Sequence, residues 1–195
     1  MIEIFRLAKE LQDFCEARDW RFCFIGGVAV QFWAELRATR DVDMTLLTGF
    51  GNERPFIEAL LDRFESRVAN PIEHAERTRV VLLKGPEGIG IDIAMGAFPF
   101  EESAILRSKK IEAIDGIQLR VCSAEDLIVF KVFATRAKDW GDVEATIIRQ
   151  GDAKLDWVYV REQLVPLLEL KEAPELLDQL EALRVRVRRR QAACP

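Results

Sequence analysis

The stretch GGVAVQFWAELRATRDVD, residues 26–43, decides the fold of this chain. Phe22 to Ile25, just before it, is a short apolar run that predicts a buried strand. Gly26 and Gly27 allow a sharp turn because neither has a Cβ, and a helix is expected to follow at once. Successive N–H groups at the start of such a helix favour phosphate oxygens. The stretch therefore predicts a strand, a glycine turn with a phosphate site, a helix and a second strand.

Two aspartates begin the second strand. Residues 41–47 read DVDMTLL, whose β-branched and apolar side chains suit a strand, so Asp41, Asp43 and Thr45 should project from one face. Two neighbouring carboxylates cost energy unless a cation bridges them. Mg²⁺ suits such oxygen ligands, and it keeps water and substrate phosphate in its other positions. We therefore expect a magnesium site at these aspartates, close to the phosphate site.

A third aspartate lies in an alternating strand. Residues 88–96 read GIGIDIAMG, and a strand places the large apolar side chains of this run on one face. The opposite face carries Asp92 among glycines and an alanine, which leaves room beside it for a ligand. If this strand neighbours that of Asp41, Asp92 becomes a third carboxylate of the site. The alternative is that Asp92 only accepts a hydrogen bond from an arginine such as Arg79.

The glycine pair and the Arg-x-Thr-x-Asp-x-Asp pattern after it resemble the nucleotidyltransferase superfamily, whose active sites combine a Gly-Ser or Gly-Gly turn with Asp-x-Asp. Within that superfamily, the chain is similar to the AbiEii-type toxins of bacteria and to minimal nucleotidyltransferases. Many members have serine after the first glycine, whereas this chain has Gly27, so its phosphate contacts there would come from backbone groups. The matching positions are Gly26, Gly27, Arg37, Thr39, Asp41 and Asp43.

A second similarity to the AbiEii toxins lies further along the chain. Residues 131–142, KVFATRAKDWGD, resemble a motif with a lysine, then Arg-x-Lys-Asp and a later aspartate, matched by Lys131, Arg136, Lys138, Asp139 and Asp142. The resemblance implies that the lysine contacts phosphates and that the late aspartate acts in catalysis or base recognition. From its apolar surroundings alone, Lys131 needs an anion, either a carboxylate or a nucleotide phosphate. Arg136 and Asp139 could also simply pair at helical i, i+3 spacing.

The resemblance implies an α+β, polymerase-beta-like nucleotidyltransferase fold, in which a mixed sheet with flanking helices is followed by a C-terminal helical region. The expected domains are a nucleotidyltransferase core, residues 1–122, and a helical region, residues 123–195. The residues expected to bind metal are Asp41, Asp43 and Asp92, and those expected to bind the nucleotide are Gly26, Gly27, Thr39, Arg40, Arg136 and Asp142. Asp92 would also act as general base, and Lys131 would stabilise the departing pyrophosphate.

The implied reaction depends on one or two Mg²⁺ ions and moves a nucleoside monophosphate from an NTP to an acceptor hydroxyl. An RNA end, a protein hydroxyl and a small molecule present similar nucleophiles. Similarity to the AbiEii toxins favours a tRNA or another RNA end as the acceptor. It also implies that the protein is the toxin of a type IV-like toxin–antitoxin system and has a cognate antitoxin protein. The alternatives are an antibiotic-modifying nucleotidyltransferase and a non-catalytic regulatory or antitoxin partner with the same fold.

The composition of the chain argues against some classes of protein. The 195 residues are 49% hydrophobic and 31% charged, and no run approaches the roughly 20 apolar residues of a membrane span, so a cytoplasmic protein without membrane contact is expected. The net charge of −5 argues against a general polyanion binder. The basic run RVRVRRR, residues 184–190, could still contact RNA, or it could be the solvated tail of a helix.

The cysteines and the single histidine do not predict a zinc site. The four cysteines have no C-x-x-C spacing, and His74 is the only histidine. Buried or incidental free thiols are therefore expected at Cys15, Cys23, Cys122 and Cys194.

The remaining segments predict supporting structure. Apolar residues at helical spacing predict a helix over residues 2–18, and Pro55 suits the first turn of another that runs to about Val68. Residues 72–77 are ambiguous between a short helix and a loop. Asp115-Gly116 predicts a hairpin turn between two strands, and Ser123 with Asp126 is typical of a helix start.

Overall fold

The computed structural model describes residues 1–35 and 38–192, so Arg37 and Cys194 lie outside the described residues. Its helices are α1 (Ile2–Glu16), α2 (Gly26–Trp33), α3 (Arg54–Arg63), α4 (Pro71–Thr78), α5 (Pro99–Arg107), α6 (Ala124–Ala134), α7 (Ala137–Gln150), α8 (Trp157–Leu170) and α9 (Glu175–Ala192). Its strands are β1 (Phe22–Phe24), β2 (Asp41–Leu47), β3 (Val80–Lys84), β4 (Gly90–Gly96), β5 (Lys109–Ile114) and β6 (Ile117–Val121). The predicted order of strand, glycine turn, helix and strand is confirmed.

The strands form one mixed six-stranded sheet in the order β3-β4-β2-β1-β6-β5. β2 pairs with β4, and β1 with β6, in parallel, whereas the other three neighbouring pairs are antiparallel. The parallel pairs join segments that are distant in sequence, because parallel strands need a crossover connection. This sheet confirms the predicted α+β class, and it brings the Asp41 strand beside the Asp92 strand.

Residues 1–28 and 38–122 form one compact unit, which contains the whole sheet. Helix α1 places its apolar stripe on the sheet, and the buried Gln12 amide ties the two together. Gln12 Nε2 donates to the Gln118 carbonyl over 3.0 Å, and the Arg120 N–H donates to Gln12 Oε1 over 2.8 Å. The helix ends at Glu16, two residues before the predicted end.

The predicted extent of the third helix is wrong. α3 ends at Arg63, because Phe64 turns to an extended conformation and buries its ring. The residues that follow lie along the outer edge of β3, where the Arg67 N–H donates to the Leu82 carbonyl over 3.0 Å. The Lys84 N–H donates to the Glu65 carbonyl over 2.7 Å. Glu65, Ser66 and Arg67, which were expected on a helix, therefore extend the edge of the sheet.

The ambiguous segment before β3 is helix α4, which begins at Pro71. Proline suits this first turn because the missing N–H would have no partner within the helix. The helix ends at Thr78, and the next residue, Arg79, has a left-handed conformation with φ of 57° that turns the chain into β3.

Residues 29–37 and 123–195 form the second compact unit, as far as the structure describes them. Within it, α6 packs on α7 and α8, and α9 packs on α7. The Gln150 amide donates to the Trp33 carbonyl over 2.8 Å and so holds the end of α2 against α7. The predicted boundary between residues 122 and 123 differs from this division by the segment 29–37.

The predicted start signal of α6 is confirmed. The Asp126 N–H donates to Ser123 Oγ over 3.2 Å, and the Ser123 N–H donates back to Asp126 Oδ2 over 3.2 Å. The Tyr159 hydroxyl donates to Asp126 Oδ1 over 2.6 Å, which joins α6 to α8.

Cys15, Cys23 and Cys122 are buried as thiols, which confirms the prediction for these three. Burial raises the pKa of the Cys15 thiol to about 12, so it stays protonated at neutral pH. None of the described helices is both long and apolar enough to span a lipid bilayer.

Candidate functional site

The register of β2 and β4 places the three predicted carboxylates on neighbouring strands. Asp43 is the direct partner of Asp92, and Asp41 is the direct partner of Gly90. Directly paired residues project to the same side of a sheet, and residues two apart on a strand share that side. Asp41, Asp43 and Asp92 therefore lie on one face of the sheet.

Asp43 also fixes the glycine turn. The Gly27 N–H donates to Asp43 Oδ2 over 2.8 Å, and the Ile25 N–H donates to the Asp43 carbonyl over 3.0 Å. Gly26 has a positive φ of 51°, and a Cβ there would lie 2.4 Å from Asp43 Oδ2. Only glycine can occupy this position without displacing the carboxylate. One N–H that was expected to bind phosphate is thus engaged by the metal-ligand candidate.

Gly27 is required for a different reason. A Cβ at this position would lie 2.2 Å from Thr39 Oγ1, far inside van der Waals contact. The Thr39 hydroxyl donates to the Asp41 carbonyl over 3.2 Å, which holds it in place. Thr39 therefore fills the space where a serine side chain at position 27 would lie. This packing accounts for the glycine where many members of the superfamily have serine.

Arg67 is the residue of this site that the sequence did not reveal. Its Nη2 contacts Asp92 Oδ1, and its Nη1 lies 3.9 Å from Asp41 Oδ1. Arg79, which was offered as a partner of Asp92, instead donates to the Met95 carbonyl from Nε over 3.1 Å and pairs with Glu53. No local pattern marks Arg67, because its partner Asp92 lies 25 residues later in the chain.

The carboxylates have the chemistry of a magnesium site. Mg²⁺ binds oxygen ligands, and it usually takes only one or two carboxylates from the protein and keeps water or phosphate in its other positions. The guanidinium of Arg67 already shows that a cation is held between Asp41 and Asp92. Across residues 1–35 and 38–192, no three histidine, cysteine, aspartate or glutamate side chains are grouped so as to hold a metal ion. Metal binding by Asp41, Asp43 and Asp92 stays a prediction.

Arg40, predicted to bind nucleotide, has an exposed side chain, and its carbonyl accepts the Gly90 N–H over 3.2 Å. Its backbone thus extends the pairing of β2 with β4 by one residue. The nucleotide contact of its side chain stays a prediction.

The second motif forms a buried ion cluster of its own in the helical unit. Lys131 Nζ donates to Asp139 Oδ1 over 2.9 Å and to Asp142 Oδ2 over 2.6 Å, with all three side chains at most 6% exposed. Arg136 Nε donates to Asp139 Oδ2 over 2.8 Å. Of the two anions considered for Lys131, the structure supplies the carboxylate. The predicted roles of Lys131, Arg136 and Asp142 toward a nucleotide stay predictions.

The charges of this cluster stabilise one another. Burial raises the pKa of the Asp139 carboxyl, but hydrogen bonds from Arg136 and Lys131 and their positive charges outweigh this effect. The pKa of Asp139 therefore lies below its ordinary value of 3.8, and the carboxylate is charged at neutral pH.

The basic run on α9 is largely paired within the same unit. Arg184 and Arg188 both bind Asp152, and Arg186 and Arg190 both bind Glu144. The Arg184 guanidinium also lies 3.7 Å from the centre of the Trp157 ring. Contact with RNA stays a prediction. The carboxylates of Asp152 and Glu144 neutralise much of the positive charge that RNA binding would use.

Residues 1–176 match the model of a family described as nucleotidyltransferase of unknown function (DUF6036). The chain belongs to this family. No curated protein matches its sequence significantly. The family is that of a nucleotidyltransferase enzyme, as the glycine turn and aspartates predicted. Similarity to AbiEii toxins in particular stays a prediction.

The chain is similar to several solved structures. An antigenic nucleotidyltransferase-like protein from Paracoccidioides brasiliensis superposes with a TM-score of 0.53 at 16% identity, covering 93% of this chain and 94% of that one. The antibiotic-resistance factor ANT(2'')-Ia gives a TM-score of 0.48 at 18% identity, covering 97% and 93%. Lincomycin-bound LnuA, a lincosamide antibiotic adenylyltransferase, gives 0.46 at 16% identity, covering 70% and 92%. At such identity, the first superposition shows the nucleotidyltransferase fold.

Substituting Gly27 tests the packing of the glycine turn. Gly27→Ala should lower the free energy of unfolding by about 1–3 kcal/mol, because the new methyl group meets Thr39 Oγ1. In a Thr39→Ala background the same change should cost less than about 1 kcal/mol, since the obstructing hydroxyl is gone. Urea denaturation of the four proteins measures the cycle.

Gly141→Ala on α7 is the matched control, because nothing lies within 4 Å of a Cβ there. Alanine should stabilise that helix by up to about 1 kcal/mol. Equal effects at Gly27 with and without the Thr39 hydroxyl would contradict the packing assigned here.

Removing Lys131 tests the buried cluster. Lys131→Met should lower the free energy of unfolding by about 3–5 kcal/mol, because two buried carboxylates lose their ammonium partner. Adding Asp139→Asn and Asp142→Asn should restore much of the loss, since no unpaired charge then remains in the interior and the Arg136 side chain is largely exposed. Lys9→Met, at an exposed pair with Asp13, is the control and should change stability by less than about 0.5 kcal/mol. A loss at Lys131 no greater than that of the control would contradict this prediction.

Proposed function

We propose that this nucleotidyltransferase moves a nucleoside monophosphate from an NTP to an acceptor hydroxyl in a Mg²⁺-dependent reaction. The observation that carries the proposal is the direct pairing of Asp43 with Asp92 on parallel strands, with Asp41 on the same face. Like charges at this spacing are unfavourable unless cations join them. The glycine turn that Asp43 holds adds a helix start, with the N–H groups and dipole that favour phosphate.

Each residue then has a role that its position supports. Asp41 and Asp43 supply oxygen ligands for the metal, which neutralises charge on the triphosphate when bound. The start of α2 lies beside Asp43, where its N–H groups other than that of Gly27 can bind phosphate oxygens. The Thr39 hydroxyl lies against Gly27 and can do the same by giving up its hydrogen bond to the Asp41 carbonyl. Asp92 accepts the proton of the acceptor hydroxyl as that oxygen bonds to the α-phosphorus. The bond from the α-phosphorus to the bridging oxygen breaks, and pyrophosphate leaves.

For the acceptor, we propose an RNA end, a tRNA included, and a role as the toxin of a toxin–antitoxin pair. The similarity of residues 131–142 to AbiEii toxins supports this acceptor. So does the partial exposure of basic side chains on α9, where Arg186, Arg188 and Arg190 are each more than half exposed although they form ion pairs. Side chains of this kind can exchange a carboxylate for a phosphate.

A small hydroxylated molecule such as an antibiotic is the second candidate. The net charge of −5, and the carboxylates Glu144 and Asp152 that match the α9 arginines, favour an acceptor without a polyanionic backbone. A transfer assay with labelled NTP distinguishes the two acceptors, because only the true acceptor gains label.

Replacing Asp43 should strongly weaken nucleotide binding. Asp43→Ala should weaken binding of the NTP–Mg²⁺ complex at least about 100-fold, because the metal loses a ligand and the glycine turn loses its anchor. Calorimetry with each of the NTPs, with and without Mg²⁺, measures the loss. Asp13→Ala, an exposed carboxylate of α1, is the control and should bind like the unmodified chain. If the unmodified chain binds none of the NTPs with Mg²⁺ present, a non-catalytic partner role replaces the proposal.

Label transfer tests the acceptor. Incubation of the protein with each α-³²P-labelled NTP and total RNA should leave label on an RNA species, and Asp41→Ala should remove it. Label on a hydroxylated antibiotic and none on RNA would establish the second candidate.

In cells, expression should slow growth, and Asp41→Ala should relieve the defect because toxicity needs the metal site. Equal toxicity of both forms would exclude catalysis as its cause.

A further inference from the structure

Arg67 belongs to a row of residues that crosses the sheet through the candidate site. Its N–H donates to the Leu82 carbonyl, and Leu82 is the direct partner of Asp92, which is itself the direct partner of Asp43. The isolated bridge between Ser66 and Leu83 fixes this register. The backbone therefore sets the position from which the Arg67 side chain reaches across β3 to the carboxylates.

The sheet is shaped to receive the guanidinium. A Cβ on Gly90 would lie 2.3 Å from Asp41 Oδ1 and 2.7 Å from Arg67 Nη1, so the absent side chain leaves room for both groups. The guanidinium contacts Asp92 and approaches Asp41, and its planar fork suits two carboxylates at once. Asp43 lies on the other side of Asp92 from Arg67 along the row, and it binds the glycine turn.

Charge limits how many metal ions this arrangement can take. Asp41, Asp43 and Asp92 carry three negative charges, and Arg67 returns one positive charge. One divalent cation matches the remaining charge of minus two. A second divalent ion would have to share Asp92 and Asp41 with the guanidinium, and like charges at that separation repel.

We propose that Arg67 is a built-in cation that takes the place of a second divalent metal, so that the site holds one divalent ion, on Asp41 and Asp43. Arg67 acts through Asp92, whose carboxylate it orients, and is therefore a positioning residue. The inference rests on the proposed function, since it concerns the metal of that reaction. It assigns Asp92 to the proton transfer and not to the metal.

The number of bound Mn²⁺ ions tests the proposal without any turnover. Mn²⁺ alone, titrated into the full chain and followed by electron paramagnetic resonance, should give one ion per chain and an uncoupled six-line spectrum. Arg67→Ala should bind two ions, because the place of the guanidinium is then open to a cation. Two metal ions in one such site lie roughly 3.5–4 Å apart, so their spins should couple.

Two further variants guard against indirect effects. Arg67→Lys keeps a positive charge and should still bind one Mn²⁺. Lys84→Ala removes the partner of Glu65, two residues from Arg67 on the same edge segment, and should bind one ion like the unmodified chain. Thermal denaturation establishes that each variant is folded. If Arg67→Ala does not fold, Asp92→Asn serves in its place and should still bind one ion, with affinity lowered about tenfold because one nearby negative charge is lost.

Each other outcome overturns the proposal. Two ions on the unmodified chain, one ion on folded Arg67→Ala, or loss of Mn²⁺ binding in Asp92→Asn would each contradict the role of Arg67 and leave nucleotidyl transfer standing. An absence of Mn²⁺ binding to the unmodified chain and to all variants, with no NTP binding by calorimetry, would remove the proposed function as well.

Discussion

The pairing of β2 with β4 in parallel register is the constraint on which the site depends. It sets Asp43 directly beside Asp92, so two carboxylates lie about 5 Å apart at their Cβ atoms, a spacing at which like charges destabilise a sheet. The fold offsets this repulsion from both sides. The Gly27 N–H binds Asp43, and the Arg67 guanidinium binds Asp92. The glycine turn and the edge segment of β3 are thus the structures that make such a pairing tolerable.

Three glycines give the site its shape, and each is needed because a polar group lies where its side chain would be. A Cβ on Gly26 would meet the Asp43 carboxylate, one on Gly27 would meet the Thr39 hydroxyl, and one on Gly90 would meet Asp41 and the Arg67 guanidinium. Of the three, only Gly26 has a positive φ, so backbone conformation does not explain the other two glycines. At those positions a side chain would collide with a polar group. The polar groups can therefore approach the backbone closely.

The local features of the sequence predict the strands, the glycine turn and the shared face of the three aspartates, but not the long-range contacts around them. The glycine pair, the Asp-x-Asp strand and the alternation around Asp92 each act within a few residues, so pattern alone predicts them. The predicted end of α3 is too late because the run after Pro55 continues at helical spacing, while burial of the Phe64 ring ends the helix. That error also hid Arg67, whose partner is set by strand pairing and not by sequence distance.

The ion clusters around Lys131 and around Arg67 each pair a basic side chain with two aspartates, but they differ in exposure. Lys131 and its carboxylates are at most 6% exposed, so breaking one contact would leave an uncompensated charge in the interior. Arg67, Asp41 and Asp92 are each about a third exposed or more, and pairs of this kind contribute little net stability because water solvates the separated charges. An ion and a phosphate can reach these carboxylates from solvent without crossing the interior. We therefore propose the exposed cluster on the sheet, and not the buried one, as the place where substrate binds.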